Sequence, residues 1–297
     1  MKILYSFSFF LASVLSFSAI AQTATDLWVV ETSGKSGKFK ILPKTAYALT
    51  DRSEYDNQPS FINEYQMVFS AADENDNFDI IVYNFNSKKF TNMSRTSDRN
   101  ENSPMITDCG MYISAVVSEP DKKQRVWLYP LTFEPAELLY DDIEPVGYYD
   151  WYDNKAAMFV LGEPNHLVYA RGRNDILTID SAVARAIIKR PKTSEITYLS
   201  TDEFRDVGGE KAFMLKSFDI ESAERSEYYF GVPGSQDFIW LDKNYLLMAS
   251  GNNIYKRKYT ETNWELVGTI NSDTHQNITR MAYSEDLEIL VVAMERK

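Results

Sequence analysis

Cysteine and histidine are almost missing from this 297-residue chain, which has one Cys, Cys109, and two His, His166 and His275. A single cysteine excludes an intramolecular disulfide, and so few ligands cannot assemble a zinc or copper site of ordinary composition. Cys109 reads as a small buried hydrophobe, His166 as packed beside an apolar strand, and His275 as part of a polar turn. No G-x-S-x-G occurs, so serine-nucleophile chemistry lacks its signature. The tract from Asp73 to Asp79 sets oxygen-bearing residues at alternate positions as a calcium loop does. Phe78 stands where that loop needs glycine, however, and Asn84 where it needs a bidentate glutamate; a solvated hairpin tip is the expectation. Basic residues are also short, 31 Lys and Arg against 43 Asp and Glu. The net charge of −12 repels nucleic acid and anionic membrane surfaces, so neither is expected as a partner.

The chain has no Pro/Ser/Gly-rich linker and no low-complexity tract. Its one targeting-type apolar stretch is N-terminal: Lys2, then Ile3 to Phe17, then Ala19-Ile20-Ala21, the charged, apolar and small-x-small order of a cleaved signal peptide. It is short for a membrane anchor and carries no charged stop-transfer flank. Residues 1–21 are therefore expected to be removed near Ala21, leaving a soluble, exported, periplasmic product of one domain, 22–297. With no cysteine near the cleavage point, lipid anchoring is not expected.

What the chain does have is a repeat. Gln58-Pro59-Ser60-Phe61, Ser103-Pro104-Met105-Ile106, Tyr148-Tyr149-Asp150-Trp151 and Ser194-Glu195-Ile196 recur every 45 residues, and Asp237-Phe238-Ile239-Trp240 and Met281-Ala282-Tyr283 follow at 44 and 43. Between them lie short β-type runs, such as Met67 to Ser70, Asp79 to Tyr83 and Lys89 to Met93. Six units of about 40 to 50 residues, each of four short strands, predict an all-β six-bladed β-propeller. Asp26 to Val30 and Lys38 to Leu42 look like third and fourth strands without a first or second. Ile278 to Tyr283 and Leu287 to Val292 look like a first and second with nothing after. One half-blade completes the other and closes the ring. Ala182 to Lys189 has helical composition and reads either as an inserted turn of helix or as an outer strand.

Leu49-Thr50, Gln58 to Phe61, Met67 to Ser70 and Asp79 to Tyr83 resemble the repeat of TolB-like propellers. The likeness spans nearly the whole chain after the signal in generic repeat positions, although the family's Asp-Gly turn after the inner strand is replaced, as in Phe61-Ile62-Asn63-Glu64. A narrower resemblance, to exported TolB-like and WD40-like propeller proteins, runs through Val146 to Trp151, Met158 to Pro164, Arg185 with Pro191, Asp237 to Trp240, Trp264 and Ile278 to Ala282. In those relatives a histidine commonly stands where this chain has Tyr149, and a departure there argues against histidine-dependent chemistry. TolB carries an additional N-terminal domain for which this chain has no room, so a role in the Tol system is not carried over.

Propellers bind at the mouth of the central channel with the loops that lead into the inner strands. Those loops hold Glu54, Asp56 and Asn57; Arg99, Glu101 and Asn102; Glu144, Tyr148 and Tyr149; Lys192; Gln236 and Asp237; and Asn277 and Arg280. Asn57, Asn102, Tyr148, Tyr149, Asp237 and Arg280 form the candidate binding set, since Arg and Tyr combine contact area with directional donors. Tyr149 and Arg280 are expected to face a ligand, while Trp151 and Trp240 pack between blades. No catalytic residue, metal ligand or cofactor is assigned. The expected function is non-enzymatic binding, by a monomer, of a periplasmic or envelope protein or a small ligand. The alternative is a metal-assisted hydrolase or lactonase using channel carboxylates.

Overall fold

Runs of β-branched and aromatic residues broken by Asn, Asp and Gly favour strands joined by tight turns. The computed structural model describes residues 23–172 and 174–297; the predicted signal segment, 1–21, lies outside them. Within the described residues there is no α-helix, only two short 3-10 turns, at Ser36–Lys38 and Pro43–Thr45. Blade 1 begins with β1 (Thr25–Ser33), β2 (Lys40–Ile41) and β3 (Tyr47–Ala48). Blade 2 holds β4 (Asp56–Asn63), β5 (Gln66–Ala72), β6 (Phe78–Asn84) and β7 (Lys89–Asn92), and blade 3 holds β8 (Asn100–Ile106), β9 (Tyr112–Ser118), β10 (Gln124–Pro130) and β11 (Glu137–Leu138). Blade 4 comprises β12 (Val146–Tyr152), β13 (Lys155–Val160), β14 (His166–Gly172) and β15 (Asp175–Ser181). Blade 5 comprises β16 (Val183–Lys189), β17 (Glu195–Val207), β18 (Glu210–Asp219) and β19 (Arg225–Phe230). After blade 6, made of β20 (Phe238–Trp240), β21 (Tyr245–Ser250), β22 (Asn253–Lys258) and β23 (Glu265–Thr269), β24 (His275–Ser284) and β25 (Ile289–Arg296) return to blade 1. The six antiparallel sheets make the expected six-bladed propeller.

The core is a ring of six apolar clusters, one at each blade-to-blade face. Val68 and Ile80 of blade 2 meet Ile113, Ala115 and Val117 of blade 3; Val116 and Val126 of blade 3 meet Trp151, Met158 and Val168 of blade 4. Second strands face neighbours on both sides, and β5 and β25 accordingly read as continuous buried runs. Each such Leu, Ile, Val or Phe side chain contributes about 1.5 to 3 kcal/mol. Trp151 and Trp240 are buried between blades, as expected.

The ring closes at blade 1, where β25 pairs with β1 from Thr25↔Glu295 to Glu31↔Ile289. A buried carboxylate locks this seam: Asp26 accepts from Thr50 Oγ1 at 3.2 Å and the Arg52 backbone N–H at 2.9 Å, shares a hydrogen bond with His275 Nε2 at 2.8 Å, and stands 2.6 Å from Arg296 Nε. His275 is thus buried and not in a polar turn, because it opens β24 beneath Trp28. His166 is exposed, at the end of β14, and Cys109 is exposed on the β8–β9 turn, where no neighbouring blade covers it.

One unit departs from the 45-residue spacing. Ala182 to Lys189 is neither helical nor an outer strand: β16 is the inner strand of blade 5, joined to β15 through Ala182 alone, which sits at φ 53°. Ser194-Glu195-Ile196 therefore leads into the second strand, β17. Lys192, in the turn after β16, lies at the end of the inner strand away from the channel mouth.

Candidate functional site: the channel mouth

Inner strands carry a recurring irregularity. The ladder slips between Asn57 and Ser60, Asn102 and Met105, Val146 and Tyr148, Val183 and Ile187, and around Gln276 to Arg280. Gln58, Ser103 and Asn277 take φ of 59°, 51° and 49° at three of these places. Bulges break the two-residue alternation of a strand and re-aim its side chains. Here they turn successive residues into the channel, and the Gln58 side chain bridges blades by accepting the Ser103 N–H at 2.6 Å.

Two cavities meet at the mouth. A channel cavity of about 420 Å³ is walled by Phe61, Ile106, Ile187, Ile239, Ala282 and Tyr283. Beside it, a polar cavity of about 340 Å³ is bounded by Glu210, Gln236, Asn277 and Glu295. Glu210 arrives there because β17 and β18 run to 13 and 10 residues and carry their hairpin out over the mouth. Arg185, Asp237 and Arg280 border both cavities.

These three side chains form one ionic group drawn from blades 5, 6 and 1. Arg185 Nε donates to Asp237 Oδ2 at 2.8 Å, Arg280 Nη1 donates to Asp237 Oδ1, and both arginines also donate to the Thr279 carbonyl, at 3.3 and 3.2 Å. The Arg280 guanidinium lies 5.2 Å from the ring centre of Tyr148, within cation–π range. Burial works against the Arg280 charge, but Asp237 with Tyr148 and Tyr55 outweighs it and the pKa stands above its ordinary value. Burial pushes the nearby Tyr55 phenol up to about 12. Side-chain exposure is 35% for Arg185 and 16% for Arg280, so Arg185 is the more accessible cation. Among the described residues, Arg185 Nη1 and Arg280 Nη2 have no hydrogen-bond partner.

Of the six expected binding residues, Tyr148, Asp237 and Arg280 come together here. Asn57 is buried and holds the seam, its Nδ2 donating to Thr279 Oγ1 at 3.1 Å and to Thr25 Oγ1 at 3.2 Å. Tyr149 does not face the channel as expected; it is buried in the face between blades 3 and 4, where its hydroxyl lies 2.9 Å from Ser114 Oγ and 3.1 Å from the Ser103 carbonyl. The bulge before Tyr148 sends Tyr148 toward Arg280 and the next residue into the core. Asn102 is half-buried and stands apart from this group. Arg185 was missing from the set because its segment read as helix or outer strand.

Asp150, lower in the channel, accepts the Trp151 N–H at 2.7 Å and the Lys189 N–H at 2.6 Å, and burial pushes its carboxyl up to about 6. Among the described residues, no three His, Cys, Asp or Glu side chains converge closely enough to hold a metal ion. Nor is any helix of the described residues long and apolar enough to cross a membrane.

No protein-family model matches the sequence, and no curated protein matches it. Solved structures do resemble the fold. A putative TolB from Agrobacterium tumefaciens superposes with a TM-score of 0.62 at 9% identity, over 92% of this chain and 99% of that one. TolB from Acinetobacter baumannii gives 0.51 at 14% identity over 70% of this chain; the match spans 51% of that chain, about half its length. An oligogalacturonate lyase in complex with manganese gives 0.50 at 10% identity, over 93% and 98%. At these identities the likeness is one of architecture: a six-bladed β-propeller, the fold shared with the TolB structures.

Proposed function

We propose that the protein is a non-enzymatic binding module, exported after removal of residues 1–21, whose single propeller domain, 22–297, receives a periplasmic or envelope protein, or a small ligand, at the channel mouth. The observation that carries this reading is the Arg185–Asp237–Arg280 group, with Tyr148 against it, at the junction of a polar and an apolar cavity. Directional donors beside an apolar well are what a recognition site needs: the donors fix orientation and the well supplies the area. Asp237 holds both arginines in place before a partner arrives, which lowers the ordering cost of binding.

The test uses a photoreactive residue at Gln236, on the mouth, or at Glu64, on the opposite face. Adducts with one specific envelope component from position 236, lost in the Arg185→Gln variant, are expected. Adducts from position 64 instead would overturn the placement. The hydrolase or lactonase alternative requires convergent oxygen ligands in the channel, so stoichiometric metal in the purified protein, with activity that a chelator abolishes, would replace the binding reading.

A further inference from the structure

The face between blades 1 and 2 is only partly packed. Blade 1 has no full outer strand; β2 and β3 are two residues each. The face of blade 2 that should lie beneath such a strand is left open. On that face, alternation presents Phe69 and Ala71 from β5, Asp79 and Ile81 from β6, and Phe90 and Asn92 from β7. The register sets Phe69, Ile81 and Asn92 in one row and Ala71 and Asp79 in the next. Leu49 to Arg52 roofs the gap, leaving a cavity of about 450 Å³, a size suited to a small molecule.

Its floor is apolar and aromatic. Phe69 is buried, Phe90 is 49% exposed, and the two rings meet edge to face at 6.2 Å. Its rim is acidic, with Asp51, Asp56, Asp73 and Asp79 against one arginine, Arg52. That arginine is already committed: its Nε donates to Asp56 at 3.0 Å and its Nη2 to the Ala72 carbonyl at 3.1 Å. Asp51 is held by Arg296 at 2.5 Å. Asp73 and Asp79 have only neutral donors among the described residues. Asp73 accepts the N–H groups of Asn75 and Asn77, which hold its carboxyl below the usual range. Asp79 accepts from Asn92, Ser94 and Thr96.

We propose that this wedge is a second binding site, for an organic cation: an ammonium group on an apolar, ring-sized body. The body lies on Phe69, Ile81 and Phe90, and the ammonium is drawn to Asp73 and Asp79. Charge complementarity selects the cation, since two carboxylates without a cationic partner border a low-dielectric floor where attraction is weakly screened. The exposed Phe90 ring adds its negative face. The rim carboxylates are spread around the floor and do not converge, which suits an organic ammonium and not a bare metal ion.

Calorimetric titration of the purified protein with phenethylammonium, 2-phenylethanol and phenylacetate tests the assignment. One equivalent of phenethylammonium is expected to bind, with 2-phenylethanol at least tenfold weaker and phenylacetate weaker still. Raising salt from 0.05 to 0.5 M should weaken the cation at least threefold. Phe90→Ala, at a half-exposed position, and Asp79→Asn should each weaken it at least fivefold with an unchanged circular dichroism spectrum. If Asp79→Asn fails to fold, Phe90→Ala alone decides. Equal affinity for the alcohol and the amine, or an affinity that survives Phe90→Ala, would overturn the proposal.

Discussion

Blades 1 to 3 each bury one carboxylate, and the seam side treats it differently from blade 3. Asp26 in blade 1 has Arg296 and His275, and Asp56, opening blade 2, has Arg52. Glu101 occupies the place of Asp56 one repeat of 45 residues later. Among the described residues no cation pairs with it: Thr96 and Tyr129 hydroxyls donate to its Oε1 at 2.7 and 2.8 Å, and Oε2 has no partner. Burial pushes its carboxyl up to about 7. The repeat therefore preserves the position of a buried acid without preserving its charge compensation. Where the chain's two ends must be held together, the acid is an ion-pair anchor; where chain continuity already holds the blade, burial raises its pKa with no cation to offset it.

The largest effect should come from removing the seam itself. Deleting 287–297 strips β25, leaving β24 unpaired and one edge of β1 bare, so loss of the cooperative unfolding transition and aggregation are expected; a monomeric, folded truncation would break the comparison. Next is Arg52→Ala, which leaves Asp56 buried without its cation. A loss of about 3 kcal/mol in urea unfolding at pH 7 is expected, shrinking at acid pH as the carboxyl takes a proton.

Smallest, and opposite in sign, is Glu101→Gln. The Glu101 carboxyl is raised from 4.5 to about 7 in the folded protein. Below pH 4.5 both folded and unfolded states carry the proton and the group is neutral to stability. Between 4.5 and about 7 the unfolded state loses it first, so stability falls as pH rises through this window. Gln removes the titration and keeps an acceptor for the two hydroxyls. A gain of about 2 kcal/mol at pH 8 that vanishes near pH 4 is expected from paired denaturation curves. A pH-independent difference would mean that Glu101 is compensated after all.

The ring was legible in the sequence because strand length and turn chemistry recur together, and because two half-blades were visible at the ends. Blade 5 was not, since its inner strand mixes strand-forming Val and Ile with Ala, Arg and Lys, which favour helices. The 45-residue spacing instead picked out Ile196, which belongs to β17. At the mouth, Tyr148, Asp237 and Arg280 followed from position in the repeat. Tyr149 and Asn57 did not, because bulges invert the in–out alternation that assigns a strand residue to one side, and no local composition marks a bulge. His275 misled for a different reason: its polar neighbours Ser272 to Thr274 describe the turn, while its burial depends on Trp28 and Asp26, about 250 residues away.

The seam also has a mechanical consequence. Thr25 faces Glu295, and the Arg296 N–H donates to the Ala24 carbonyl at 2.9 Å, so both ends of the described chain leave the ring from the same corner of an antiparallel pair. Tension applied between those ends loads the ladder one rung at a time, as a zip is opened. Tension applied between one end and the far side of the ring must instead shear the β1–β25 rungs together. The same propeller is therefore weak when stretched between its two ends and strong when pulled between one end and the far side of the ring.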